Sequence, residues 1–238
     1  MANVLIESQT MTDIANAIRE KSGTDVKMKP AEMPQAIASI STDSSLIKLL
    51  EETDTLESKF RNTNIEEIPK FRINPKCVSA YKCFDGCKKL KYFDNNFDTS
   101  HLTDSTFSMF ADCVELISVK GLNIKNTGSA HWLFFNCHKL QSVDILDLSS
   151  IVNNNGVSRL LEGCYALRDI TFVNQSIKWS LSIANSPLLT DESIQSIIDG
   201  LADLTGQTAQ TITFHPDVKN KLTEEQIASA TSKNWNIA

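Results

Sequence analysis

Much of what would mark a large protein class is missing from this chain. No apolar run approaches the roughly 18 residues needed to cross a bilayer, so membrane insertion is not expected. The opening, Met1 to Gln9, has no basic leader followed by an apolar stretch, so no signal peptide is expected and the product is made in the cytoplasm. Lys and Arg number 23 against 29 Asp and Glu, a formal charge of −6, which argues against a nucleic-acid surface, since phosphate binding needs clustered cations. The one concentrated basic stretch, Lys88, Lys89 and Lys91, reads as a solvated face. There is no Gly-rich phosphate loop, no Gly-x-Ser-x-Gly turn and no His-Glu-x-x-His helix. The four histidines, His101, His131, His138 and His215, are scattered. His131 and His138 flank Cys137, but a structural zinc site needs four tetrahedral ligands, and paired Cys-x-x-Cys spacings are absent. No catalytic residue, metal ligand or cofactor is assigned, and the chain is read as non-enzymatic.

What the sequence does contain is a repeat. The skeleton bulky–x–x–Cys–x–x–Leu–x–x–apolar runs Phe84, Cys87, Leu90, Phe93 and returns as Phe110, Cys113, Leu116, Val119. It returns again as Phe134, Cys137, Leu140, Val143 and as Leu161, Cys164, Leu167, Ile170. The cysteines step by 26, 24 and 27 residues. A period in the twenties marks a solenoid whose unit is one short strand plus a helix or turn. The fold class is therefore α/β, a leucine-rich-repeat-like solenoid. Cys87, Cys113, Cys137 and Cys164, with Leu90, Leu116, Leu140 and Leu167, form its interior ladder. Cys is small, apolar and a weak S–H donor, suited to a buried inward turn. Cytosolic thiols are mostly reduced, so the cysteines are expected free, although stacked coils could bring two sulfurs together.

Four segments follow in order. Residues 1–41 hold two short amphipathic helices, with Met11, Ile14 and Ile18 on one stripe and Met33 and Ile37 on the other. They cannot bury those stripes on each other alone and need the solenoid or another protein. Residues 42–69 are a polar joint and a degenerate first repeat, in which Thr63 lies 24 residues before Cys87 and Ile68 falls near the strand position. The regular solenoid occupies 70–187, with strands at each Leu-x-x-apolar and bulky groups at helical spacing before each Cys. Residues 188–238 form an α/β cap. There Thr190 begins a helix with the stripe Ile194, Ile197, Ile198, Leu201 and Leu204, closed by Gly206. Thr211 to Phe214 is a strand, Thr223 to Gln226 a capping box, and Trp235 to Ile237 a last strand. Aromatic residues outside the ladder, Tyr92, Trp132, Tyr165 and Trp179, are the candidate ligand contacts, because Tyr and Trp suit surfaces with one apolar and one polar edge. The alternative for Trp132 and Trp179 is simple packing on the solenoid's flank.

The Phe-x-x-Cys-x-x-Leu-x-x-apolar unit, preceded by Phe97 to Asp104 and by Phe107-x-Met109-Phe110, resembles the BspA-type leucine-rich repeats of bacterial surface proteins and bacteriophages. The opening, with Ile14 to Gly23 and Met28 to Ile37, is similar to the N-terminal segment of phage tail-fibre and baseplate proteins. The stretch from Leu188 to Ala228 resembles the end of phage-encoded repeat proteins of that kind. The resemblance implies a virion structural protein that docks on other virion proteins through residues 1–41, with Met11, Ile14, Ile18, Met33 and Ile37 as the docking face. It implies a solenoid turned toward a host-surface protein or glycan, and a closed homo-oligomer, a trimer by expectation. A cellular leucine-rich-repeat adhesion or interaction module is the alternative. A carbohydrate-active enzyme trails both: catalytic carboxylate pairs have no linear signature here, and short turns leave little depth for a water-excluding pocket.

Overall fold

The four Cys units lie side by side. β1 (Tyr92–Asp94), β2 (Ser118–Lys120), β3 (Ser142–Leu146) and β4 (Asp169–Phe172) make one parallel sheet in chain order. Phe93 pairs with Val119, Val119 with Val143 and Val143 with Ile170, so the strand residue of each repeat sits on its counterpart. Each strand is short because only that residue must point inward: Phe93 is buried between exposed Tyr92 and Asp94, as strand alternation requires. The computed structural model describes residues 47, 48 and 51–238. The expected docking face, Met11, Ile14, Ile18, Met33 and Ile37, lies outside the described residues.

Before each Cys the sequence suggests helical spacing, and the structure corrects this to a ribbon of tight turns. Its backbone alternates. Ala80, Lys82, Phe84 and Gly86 donate N–H to the carbonyls of Ser105, Phe107, Met109 and Ala111 in the next coil, while Cys83, Asp85 and Cys87 donate three residues back. The same alternation recurs at Thr106 to Asp112 and at Ala130 to Asn136. An α-helix would spend all its bonds within the coil; this ribbon spends half of them between coils, which is what locks neighbours together. The geometry requires left-handed backbone just before each Cys, at Gly86 (φ 73), Asp112 (φ 56), Asn136 (φ 58) and Gly163 (φ 83). Gly, Asn and Asp are the residues that tolerate it. A Cβ added at Gly86 would meet the Asn62 amide oxygen, a side-chain end that would have to swing aside.

Inside, the repeat positions stack by type. Phe60, Phe84, Phe110 and Phe134 form a column of near-parallel rings at 5.2, 5.4 and 5.9 Å, continued by buried Leu161. Leu90, Leu116, Leu140 and Leu167 are fully buried. All six cysteines are buried and unpaired, and each ladder thiol has a task. Cys87 donates S–H to the Phe60 carbonyl at 2.9 Å, Cys113 to Phe84 at 3.1 Å, Cys137 to Phe110 at 3.1 Å and Cys164 to Phe134 at 3.2 Å. Each turn therefore closes a carbonyl of the turn before it. Burial pushes these thiols up, Cys87 to about 11 and Cys113 and Cys137 far above their ordinary value, which keeps them protonated as donors. At the two ends hydroxyls hold the Cys position and make different bonds, one within its own coil and one to a ladder-Cys carbonyl. Thr63 Oγ1 donates to the same Phe60 carbonyl at 2.7 Å, and Ser186 Oγ donates to Cys164 at 3.1 Å.

The first coil departs from the pattern, and no strand forms at Ile68, which is nevertheless buried. At the other end, helix α1 (Asp191–Gly200) closes the sheet. Thr190 caps it by accepting the Ser193 N–H. Its serine hydroxyls then accept from the edge strand, Ser193 from Ile170 N–H and Ser196 from Phe172 N–H, both at 2.9 Å, where a fifth strand would otherwise bind. The helix stops at Gly200, not at Gly206, because Leu201 turns extended and pairs with Ile177; the tight approach of Phe172, whose Cβ would lie 2.9 Å from an added Cβ at 200, suits glycine there. Leu201 and Leu204 are buried beyond its end.

A second parallel sheet follows, of β5 (Leu181–Ile183), β6 (Gln210–Phe214) and β7 (Trp235–Ile237) in that order. Helices α2 (Pro216–Lys219) and α3 (Glu224–Ser232) join its last strands. The capping box on Thr223 and Gln226 forms as the sequence suggests. β5 falls within the segment read as the end of the repeats and pairs with β6 in the second sheet.

Candidate functional site: the turn flank and its polar groove

The turn ribbon has an outer side as well as an inner one. Because coils repeat in register, residues three before each ladder Phe line up on it. Tyr81 stacks on Phe107 at 5.1 Å and Phe107 on His131 at 5.0 Å, nearly parallel. The stripe widens at the third coil, where Trp132 lies 5.3 Å from His131 and 5.0 Å from Phe135. Cations cover it: Lys82 Nζ is 5.1 Å from the Tyr81 ring, and the Arg159 guanidinium is 5.6 Å from Trp132. Stacked rings hide their faces in one another, so the stripe shows edges and cations to solvent. Trp132 has left-handed backbone, φ 57, an outlier for so bulky a side chain. Its indole N–H is enclosed and unpartnered, as is the Ser108 hydroxyl one coil earlier.

Arg159 joins this stripe to a groove. Its Nε lies 3.5 Å from Glu162 Oε2, so the cation is shared between the Trp132 ring and a carboxylate. The groove, about 530 Å³, runs between the turns of the third and fourth coils and β5. Asn136, Asn154, Asn155, Ser158 and Tyr165 line it from the coils, and Ser182 and Asn185 from the β5 side. Three amides have one end tied. Asn154 Oδ1 accepts the Ser180 N–H at 3.0 Å, Asn185 Oδ1 accepts the Gly163 N–H at 3.1 Å, and Asn136 Nδ2 donates to Asp112 Oδ1 at 2.9 Å. Tyr165 is 53% exposed, with one side of its ring against His138 at 5.5 Å.

Of the four expected ligand contacts, the structure brings two together: Tyr165 lines the groove, and Trp132 reaches it through Arg159. Tyr92 is 49% exposed but stands outward on β1, on the strand side. Trp179 takes the packing role that the sequence left as its alternative. It lies against the core and its indole N–H donates to the Ile151 carbonyl at 2.8 Å, so its polar edge is used within the chain. Sequence reasoning missed Arg159, the asparagines and the β5 residues. The only signal was the run of three asparagines, Asn153 to Asn155. A hollow of about 580 Å³ between Lys70–Pro75 and Asn95–His101 and one of about 410 Å³ over β2 to β4 contain none of the four expected aromatics.

Elsewhere, Arg61 Nε meets Asp85 Oδ2 at 2.9 Å on the ribbon. Burial raises the Asp85 carboxyl, and the Arg61 guanidinium offsets part of that rise. Among the described residues no cluster of His, Cys, Asp and Glu is placed to hold a metal ion. No helix of the described residues is long and apolar enough to cross a membrane.

The class defined by these features is a mixed α/β protein with parallel sheets and few helices. No family model, curated protein or solved structure matches the chain.

Proposed function

We propose that the chain is a BspA-type leucine-rich-repeat solenoid acting as a non-enzymatic component of a phage virion, in a tail fibre, in a baseplate or on the particle surface. On this reading residues 1–41 dock on other virion proteins and the turn flank faces the host surface. The observation that carries the binding role is the flank itself. Repeats in register bring aromatic edges, two cations and a polar groove onto one side, which suits recognition of an extended partner. The virion assignment draws on the likeness of Ile14 to Ile37 to phage docking segments. The same flank would serve a cellular adhesion or interaction module, and that likeness favours the virion.

The test compares the full chain with one starting at Ser44, by mass in solution and by antibody labelling of purified particles. The expected result is a closed oligomer, a trimer, for the full chain, a folded monomer for the shortened one, and label on the particle. Two equally folded monomers and unlabelled particles would contradict the virion reading.

A further inference from the structure

The groove beside Arg159 has a composition that narrows its ligand. Its one guanidinium is matched by its one carboxylate, Glu162, at 3.5 Å. A groove so balanced offers no net field for a phosphate or another anion. Its lining is more polar than apolar: Val157 is buried, and Tyr165 is the large exposed hydrophobic side chain among the lining residues. A protein partner would be anchored by a buried aromatic or Arg in a desolvated apolar pocket, which is not what these residues form.

The groove is instead rich in amides and hydroxyls. Asn154 and Asn185 each have the amide oxygen fixed by a backbone N–H, so each NH2 group, two donors apiece, is held in place before a ligand arrives. Pre-orientation of this kind lowers the ordering cost of binding. Ser158 and Ser182 add hydroxyls that both donate and accept, and the Asn155 side chain adds a full amide. Tyr165, with one ring side toward His138, leaves the other for the C–H face of a ring-shaped ligand. The volume, about 530 Å³, falls within the ~300–1,000 Å³ of small-ligand sites. Dense hydroxyls on one edge and an apolar C–H face on the other describe a pyranose.

We propose that this groove binds a neutral glycan, its hydroxyls meeting the Asn154 and Asn185 amides and one sugar ring packing on Tyr165. The proposal rests on the reading of the flank as a recognition surface and names the ligand class for it.

The test uses the full chain and two variants at exposed positions, Tyr165→Ala and Asn155→Ala, on an array of immobilised neutral and acidic oligosaccharides, with thermal melting as the check of folding. The expected result is binding to at least one neutral oligosaccharide, competed by the free sugar. Affinity should fall tenfold or more in Tyr165→Ala and severalfold in Asn155→Ala, with melting unchanged. A blank array, binding confined to acidic glycans, or neutral binding that both variants retain would overturn the proposal. Adhesion of the full chain to bacterial cells stripped of surface glycan separates the two levels. Adhesion with a blank array would leave the recognition flank standing and remove the glycan, whereas no adhesion to intact or stripped cells, with a blank array, would remove both.

Discussion

The repeat stack and the C-terminal sheet are both parallel, yet they close their backbone bonds in different ways. In the stack one side-chain type does one task at one position: Cys87, Cys113, Cys137 and Cys164 each cap a carbonyl of the preceding coil. The C-terminal unit has no cysteine and relies on a different device at each place. These are the Thr190 cap, the Thr223–Gln226 capping box and the Trp235 indole donating to Ala202. A periodic structure can reuse one solution because each coil meets the same neighbour, whereas a terminating structure meets a new neighbour at every step. The junction shows the change of rule. Ser193 and Ser196 receive the two β4 amides that another coil would have taken, so helix hydroxyls end the ladder at β4 and cover that edge against a second chain.

The comparison can be broken most sharply from inside the stack. Leu116→Ala empties a fully buried ladder position and is expected to cost about 2–5 kcal/mol in denaturant unfolding, with the loss concentrated in the stack's amide protection. The thiol rungs come next. Cys113→Ala removes the second donor of the Phe84 carbonyl, which keeps the Cys87 N–H, and empties the sulfur's volume, an expected loss of about 1–2 kcal/mol. Cys113→Ser keeps a donor of the kind that Thr63 and Ser186 supply at the ends, and should recover part of that loss by the same measurement. Equal losses for Ala and Ser would show that the rung matters by volume alone. The smallest effect is expected at the junction. Ser193→Ala frees one amide of β4 for about 1 kcal/mol, and its sharper readout is concentration-dependent association through the opened edge.

The two regions were also unequally legible. The inner ladder could be read because each of its positions keeps one chemistry across the four repeats. The turn ribbon could not, although half of its signal was present: Gly86, Asp112, Asn136 and Gly163 precede the four cysteines, and these are residues that accept left-handed backbone. The other left-handed position is filled by Lys82, Ser108, Trp132 and Arg159, which share no property. Only the inter-coil hydrogen bonds explain why they adopt it. In the C-terminal unit, local signals were enough for caps and strands, but the end of α1 at Gly200 depended on the pairing of Leu201 with Ile177, a contact 24 residues away in sequence. The groove was the least legible feature. Its residues come from two successive coils and the β5 segment, and no single repeat holds them together. Tyr165 and Trp132 could be nominated by type, while Tyr92 and Trp179 passed the same test and stand elsewhere.

The central claim is that neutral, S–H-donating thiols hold the stack together. Burial raises all six thiols in the folded chain. Their contribution is therefore fully present below the unfolded thiol value, about 8.5, and is lost as the pH rises toward the folded values. Each thiol removes about 1.4 kcal/mol per pH unit over that span. The direct measurement is thiolate absorbance of the native chain between pH 8 and 11, recorded together with circular dichroism. The account expects no thiolate signal until the stack unfolds, then all six thiols appearing in one cooperative step. Gradual titration of the thiols near pH 8.5 with the fold intact would contradict it.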